Sequence, residues 1–315
     1  MNNLDHIKEN VPEVMILMST YNGEVYIREQ LDSILRQIGV SIRLVIRDDG
    51  STDSTWDILA EYADLYGEKI YLVPFNGENK GSANSFMYLL NYAIDTFPNV
   101  QYFGFADQDD YWLENKILKA IEKLKTSKKE ALYFSRKKIV NNNLEDINID
   151  DLQFYGDSFL QFLTISNASG CTFLFNRDLA EICRKKSSNK KIYHDAWIYR
   201  VAGCIGATIY YDDMAYILYR QHESNVVGKV EYWNIHSAFK HIGKKRNHVL
   251  LETFQDIYTQ FADKLVGEAE MVVPLVANYK KSFVAKFRLM MWKEPRKYGM
   301  KSTIIWLLKV IFDGV

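Results

Sequence analysis

"VMILMSTYNGEVYIREQLDSILRQIGVSIRLVIRDDGSTDST", residues 14–55, reads as strand, helix, strand. "VMILMS" (14–19) is a short, unbroken apolar run, the pattern of a strand buried on both faces. It stops at the turn "TYNG", after which Ile27, Leu31, Ile34, Leu35 and Ile38 recur at helical spacing. "RLVIR" (43–47) is the next strand; it ends at "DDGSTDST", which turns and caps a helix through about Tyr66. Parallel strands need such a helical crossover, and the unit is right-handed.

The alternation continues outward. "KIYLV" (69–73), a helix from about Ala83 to Asp95, "YFGFA" (102–106) and a helix from Leu113 to Lys125 follow in turn. In the last helix Ile117, Leu118, Ile121 and Leu124 face inward. The chain is therefore expected to be α/β, a mostly parallel sheet with helices on both faces. Ligands of such folds sit outside the carboxyl ends of the strands. Ser19–Asn22, Asp48–Asp53 and Asp107–Asp110 are three polar clusters at three such ends.

From about Ala131 the rhythm changes. Residues 141–158 read as a loop, "GCTFLF" (170–175) as a strand opened by a glycine, and "HDAWIYRVAGCIG" (194–206) as a short helix with Asp195 in its first turn. "TIYYDD" (208–213) and "AYILYRQH" (215–222) read as two strands, and the pattern is helical beyond Glu231. The expected organisation is a catalytic domain over 1–228, in halves of about 12–130 and 131–228, followed by a C-terminal helical region, 229–315.

With 48% apolar and 25% charged residues, the 315-residue chain has an ordinary globular composition. Its net charge of -1 argues against a nucleic-acid partner. Cys171, Cys183 and Cys204 show neither metal spacing nor a C-x-x-C pair, as for reduced structural thiols. The start "MNNLDHIKEN" lacks the apolar core of a signal peptide. Ile304–Phe312 is interrupted by Lys309 and falls short of the ~20 apolar residues a bilayer span needs. A cytoplasmic location is expected. From Lys280 to Val315, nine basic residues stand against Glu294 and Asp313, a local charge of +7, interleaved with aromatic and aliphatic residues. Two readings stay open: helices lying peripherally on an anionic membrane, or a stripe packed onto the catalytic core or a second subunit of a homo-oligomer.

"YFGFADQDDYWLENK" (102–116) crowds Asp107, Asp109 and Asp110 behind a strand. Like charges so close call for a cation among them. Asp107 and Asp109, spaced D-x-D, suit hard Mg²⁺ or Mn²⁺. A helix-capping acidic turn is the alternative.

Together "ILMSTYNGEVYIREQLDSILRQ", "LVIRDDGSTDST", "ENKGSANSF", "ADQDDYW", "SGCTFLFNRDL", "HDAW" and "LYRQHESNVVG" resemble the family 2 glycosyltransferases of the GT-A fold. Within them the chain is most similar to the rhamnosyltransferase-like branch of bacterial surface-polysaccharide synthesis. The resemblance runs in order from about Val14 to Gly228. It implies a nucleotide-diphosphate sugar donor, an inverting transfer and a lipid-linked glycan acceptor. It further implies Asp49 as acceptor of the imide N–H of uracil or thymine, with Thr20, Tyr21 and Asn22 at the nucleotide. Asn79 and Gly81 would form a loop near the donor, and Arg220 or Gln221 would lie near the diphosphate. Asp107, Asp109 and His222 are implied as metal ligands, Asp109 most directly, and Gly170 as an acceptor-side loop. Asp195 would be the base; His194 stands where many relatives carry a second acid. Residue by residue, Asp48 could instead hold an Asx turn, Tyr21 could be core, and Asp195 could be a dipole partner of its helix.

A nucleotidyltransferase would need a glycine-rich loop after the first strand, and "STYNG" has none. A phosphatase would need an aspartate where Ser19 and Thr20 stand. A UDP-hexose or UDP-N-acetylhexosamine donor is the alternative within the family. A non-catalytic, carbohydrate-binding scaffold subunit is the alternative outside it, although scaffolding needs none of Asp49, Asp109, Asp195 and His222.

Overall fold

A computed structural model describes residues 11–149, 159, 168–185, 192–222 and 249–311. In β1 (Glu13–Thr20) alternate side chains enter two cores: Val14, Ile16 and Met18 one, Met15 and Leu17 the other. Burial on both faces is why residues 14–18 of this strand are all apolar. The chain continues through α1 (Ile27–Leu35), β2 (Ser41–Asp48), α2 (Thr55–Tyr66), β3 (Ile70–Leu72), α3 (Ser82–Thr96) and β4 (Tyr102–Ala106). Helices α1 and α2 cover one face and α3 the other. Strands β3, β2, β1 and β4 pair in parallel, in that order.

After β4 come β5 (Tyr111–Trp112), α4 (Lys116–Leu124), β6 (Ala131–Val140), β7 (Leu174–Asn176), α5 (Arg177–Cys183), α6 (His194–Cys204) and β8 (Thr208–Arg220). The full order is β3-β2-β1-β4-β7-β6-β8-β5. In this half β7 is antiparallel to both neighbours, β6 and β8 are parallel, and β5 is antiparallel to β8, so the sheet is mixed.

Several elements differ from the sequence reading. The helix expected from Leu113 starts at Lys116, because Tyr111 and Trp112 join β8 and the Leu113 N–H donates to the Tyr216 carbonyl at 3.0 Å. Gly170–Thr172 is a tight 3₁₀ turn, leaving Leu174–Asn176 as the strand. The two strands expected over 208–222 are one, β8, bent by register shifts opposite Ser135–Lys138. The ten-residue β6 was not foreseen.

These bulges matter to the site. Four strand spacings separate β4 from β5, about 19 Å in a flat sheet. The chain covers that interval with only the turn Asp107–Asp110, so the sheet curls until the end of β8 meets that turn, where Arg220 donates to the Asp109 carbonyl at 2.8 Å.

Helices α7 (Val249–Phe261), α8 (Glu268–Asn278), α9 (Phe283–Met290) and α10 (Gly299–Ile311) complete the described chain. Phe254, Ile257, Val272, Val276, Trp306 and Val310 join the same apolar cluster as Phe103 and Phe175. The C-terminal helices thus share the core of the α/β unit. The boundary expected at 228/229 lies outside the described residues.

Candidate active site

Three parallel strands release their chains at one edge, and side chains there lock the loops together. Thr20 is buried, its hydroxyl donating to Asp48 Oδ1 at 2.9 Å. Asp48 Oδ2 accepts the N–H groups of Gly50 and Ser51 at 3.1 and 2.8 Å, an Asx turn. Asn22, with φ 48°, donates its N–H to Ser51 Oγ and accepts the Thr52 N–H. Tyr21 is half exposed at the rim. Its backbone is gripped from the third strand end: the Gln108 amide accepts the Tyr21 N–H at 2.8 Å and donates to its carbonyl at 3.0 Å. Gly23 makes room, since a Cβ there would lie 2.6 Å from the Gln108 amide carbon.

Asp49 is buried and receives the Arg47 guanidinium, the Lys80 N–H at 3.0 Å and the Gly81 N–H at 2.7 Å. Asn79 donates to the Asp49 carbonyl at 2.8 Å. The loop carrying Asn79 and Gly81 therefore hangs on Asp49. Three N–H donors leave this carboxylate one acceptor position, on Oδ2. Arg47 also donates to Ser85 Oγ and the Glu78 carbonyl, and lies near the rings of Phe75 and Tyr88.

At the acidic turn, Asp109 Oδ2 lies 2.9 Å from His222 Nε2, both groups largely buried. The His222 ring is 5.2 Å from that of Tyr26. Arg220, expected near the diphosphate, has partners within the protein. Its buried guanidinium donates to the carbonyls of Asp109 (2.8 Å) and Asn142 and to Glu29, and stacks 4.5 Å over Tyr26. It braces the turn against β8 and α1.

Burial, reinforced by the charges of Asp109 and Asp195, pushes the Asp107 carboxyl up to about 7. Burial, with Asp109 and Asp107 adding, pushes Asp110 well above the usual carboxylate range. Asp110 Oδ1 accepts the Arg220 N–H at 3.3 Å, while the buried Oδ2 has no hydrogen-bond partner among the described residues. Among the described residues, the group close enough to share one metal ion is Asp107, Asp110 and Cys171, with ligand atoms within 4.8 Å of one another. Burial raises the Cys171 thiol well above its ordinary value, so it offers a neutral sulfur that suits a hard cation poorly. The expected trio thus divides: Asp109 pairs with His222, and Asp107 groups with Asp110. The cluster has crowded carboxyls that resist ionising side by side, oxygen donors and an orphaned carboxyl oxygen, and so fits a divalent cation. Lys137 offsets part of the charge at Asp107 and Asp110, with Nζ 2.5 Å from Ser169 Oγ.

Asp195 opens α6, half-buried. Its Oδ2 accepts the Gly170 N–H at 3.2 Å and its Oδ1 the Ala196 N–H at 2.6 Å. Its charge is among those that raise Asp107, so it shares the crevice of the acid cluster. His194 packs its ring 4.2 Å from Phe86 and 4.6 Å from Phe105. All three cysteines are buried and unbridged.

Gln108, Arg47, Lys137 and the brace formed by Arg220 were not anticipated. Gln108 alone left a signal, an uncharged amide between two aspartates. The others act on residues distant in sequence and show no local pattern.

The family described as "Glycosyl transferase family 2" matches residues 15–183. The dTDP-rhamnosyl transferase RfbG of Shigella flexneri is 31% identical over 304 residues, 92% of this chain and 98% of that protein. The UDP-Glc:alpha-D-GlcNAc-diphosphoundecaprenol beta-1,3-glucosyltransferase WfaP of Escherichia coli is 34% identical over 122 residues, 39% of this chain and 44% of that protein. Among solved structures, S. aureus TarS 1-349 in complex with UDP-GlcNAc superposes with a TM-score of 0.53 at 17% identity, over 95% of this chain and 90% of that one. That likeness is one of fold, the GT-A arrangement. With a family match across more than half its length and a relative aligned nearly end to end, the chain belongs to glycosyltransferase family 2 and is a glycosyltransferase.

Proposed function

We propose that the chain is an inverting, metal-dependent transferase that moves L-rhamnose from dTDP-β-L-rhamnose to a hydroxyl of a growing, lipid-linked cell-surface polysaccharide. The observation that carries this reading is Asp195, oriented by the Gly170 N–H and sharing one crevice with the acid cluster. The donor follows the likeness to RfbG along its length, and the lipid-linked acceptor follows the diphosphoundecaprenol in the name of WfaP.

Asp49 uses its remaining lone pair for the imide N–H of thymine or uracil; cytosine offers an acceptor there and is refused. Tyr21 and Asn22 flank the nucleotide from loops that Gln108 and Ser51 hold in place. Asp109 paired with His222, and Asp107 from its place beside Asp110, would supply ligands to Mn²⁺ or Mg²⁺, which would neutralise the charge growing on the leaving diphosphate. Each oxygen of Asp195 keeps a lone pair after its backbone hydrogen bond. Asp195 takes the proton of the acceptor hydroxyl as that oxygen bonds to the anomeric carbon. The bond to the diphosphate breaks on the opposite side and its electron pair leaves with the phosphate. One displacement inverts the centre, so a β donor yields an α-L-rhamnoside.

None of the described helices is long and apolar enough to cross a membrane. We place the enzyme at the cytoplasmic face of the membrane, with residues 280–315 in peripheral contact. The test is a turnover screen of dTDP-rhamnose against UDP-glucose and UDP-N-acetylglucosamine, with and without chelator. Preferred turnover of dTDP-rhamnose that chelation abolishes is expected, and Asp109→Ala should lose it. Undiminished activity after chelation overturns the metal. A UDP-hexose donor is the second reading, favoured by the likeness to WfaP, and preferential UDP-glucose turnover decides for it.

A further inference from the structure

Helix α9 has its two faces assigned in an unusual way. Ala285, Leu289 and Trp292 are buried, and the Trp306 indole of α10 donates to the Leu289 carbonyl at 2.9 Å. The opposite face should be polar in a helix that meets water. Instead Phe283 is 83% exposed, Val284 65%, Phe287 54% and Met291 52%. At about 100° per residue these four side chains fall within one arc of about 100° on the helix. Lys286 and Arg288 flank the arc on either side. Around it Lys280, Lys281, Lys293, Arg296 and Lys297 are exposed, whereas Glu294, the acidic residue of this stretch, is buried and lies 2.5 Å from Lys297.

We propose that this face of α9 is a lipid-docking surface, which seats Phe283, Val284, Phe287 and Met291 among the acyl chains of an anionic leaflet. The proposal rests on the reading of the acceptor as lipid-linked, and it names the residues that make the contact. Charge selects the occupant. Apolar side chains ringed by basic ones match a bilayer whose headgroups are negative and whose interior is hydrocarbon. A second copy of the chain would set two like-charged faces against each other. The same geometry gives the two sides of the C-terminal region separate roles. Trp292, Trp306 and Val310 anchor it to the protein core, and the outer side of α9 meets the lipid.

The test floats the full-length protein with phosphatidylglycerol–phosphatidylcholine vesicles and with phosphatidylcholine vesicles alone. Association with the anionic vesicles that weakens with salt is expected. Phe283→Ser combined with Phe287→Ser should lower it at least ~10-fold. Both changes are at exposed positions on a helix that packs against α8 and α10, so thermal unfolding and metal-dependent donor hydrolysis should match the parent. A double variant that floats like the parent overturns the docking face while leaving membrane contact in place. A parent that does not float with anionic vesicles overturns both, and intact donor turnover in that sample leaves the sugar-transfer reading standing. Light scattering that shows a dimer, split by the same two substitutions, would reassign the face to subunit pairing.

Discussion

Gly170→Ala offers a direct test of the crevice, because it presses on the proposed base without removing it. A Cβ at this position would lie 2.6 Å from His194 Nε2 and 3.2 Å from Asp195 Cβ, where ordinary contact begins at 3.4 Å. Something must yield by roughly 0.8 Å. His194 cannot retreat, since Phe86 and Phe105 close on its ring at 4.2 and 4.6 Å. The displacement therefore falls on the 169–172 turn and on Asp195, and it strains the Gly170 N–H bond that aims Oδ2. A misplacement approaching 1 Å at a reacting group costs on the order of 10²-fold. We expect kcat to fall ~30–100-fold while the dissociation constant of the donor stays within about twofold. Overpacking should also cost ~1–3 kcal/mol of stability, leaving the protein folded at assay temperature. Donor affinity is read by calorimetry and turnover by nucleoside-diphosphate release, with Asp195→Asn as the benchmark for loss of the base. A folded Gly170→Ala protein with parental kcat would refute the placement of the base.

Three further outcomes follow from the site. Arg220→Met removes the brace on the Asp109 carbonyl and should weaken Mn²⁺ binding ~10–100-fold, while metal-free nucleotide binding is unchanged; parental metal affinity would return Arg220 to a role at the donor. Asp49→Asn leaves Arg47 buried without its counter-charge and should cost ~3–5 kcal/mol in urea unfolding. A single variant as stable as the parent would contradict that pairing. Asp107 holds its proton up to about pH 7 and must lose it to bind metal, so apparent Mn²⁺ affinity should drop about tenfold from pH 8 to pH 6. An affinity flat across that range would speak against Asp107 as a ligand.

The first half of the fold was legible because strands buried on both faces cannot hide: residues 14–18 of β1, 44–46 of β2 and 103–106 of β4 are unbroken by a charged side chain, and turn chemistry closes each strand. The division of work between Asp48 and Asp49 was legible for a similar reason, since an Asx turn is a local device and its register is written in "DDGS". The second half was harder. In β6, Arg136, Lys137 and Lys138 break the apolar run, because there the strand passes the crevice and the bulged part of β8. Charge in the middle of a strand looks like a loop unless the site it serves is known. The contact of Arg220 with Glu29 was not legible, because the two stand 191 positions apart, a separation that no spacing rule spans. The proposed metal ligands stand out by residue type, but their grouping depends on how the Asp107–Asp110 turn twists, which side-chain chemistry alone does not specify.

The curl of the sheet also sets when the enzyme becomes competent during its own synthesis. Strands β1 to β4 and the loop hung on Asp49 lie within residues 13–106, so the half proposed to hold the nucleotide is made first. Asp109 meets His222 only after 113 further residues are made, with β8 laid across the turn. At about 5–20 residues per second that interval lasts roughly 6–23 s. On the proposed assignments, the nascent chain throughout that interval has a place for the nucleobase but no complete seat for the cation. The joint that closes the sheet would then also be the last part of the leaving-group site to arrive.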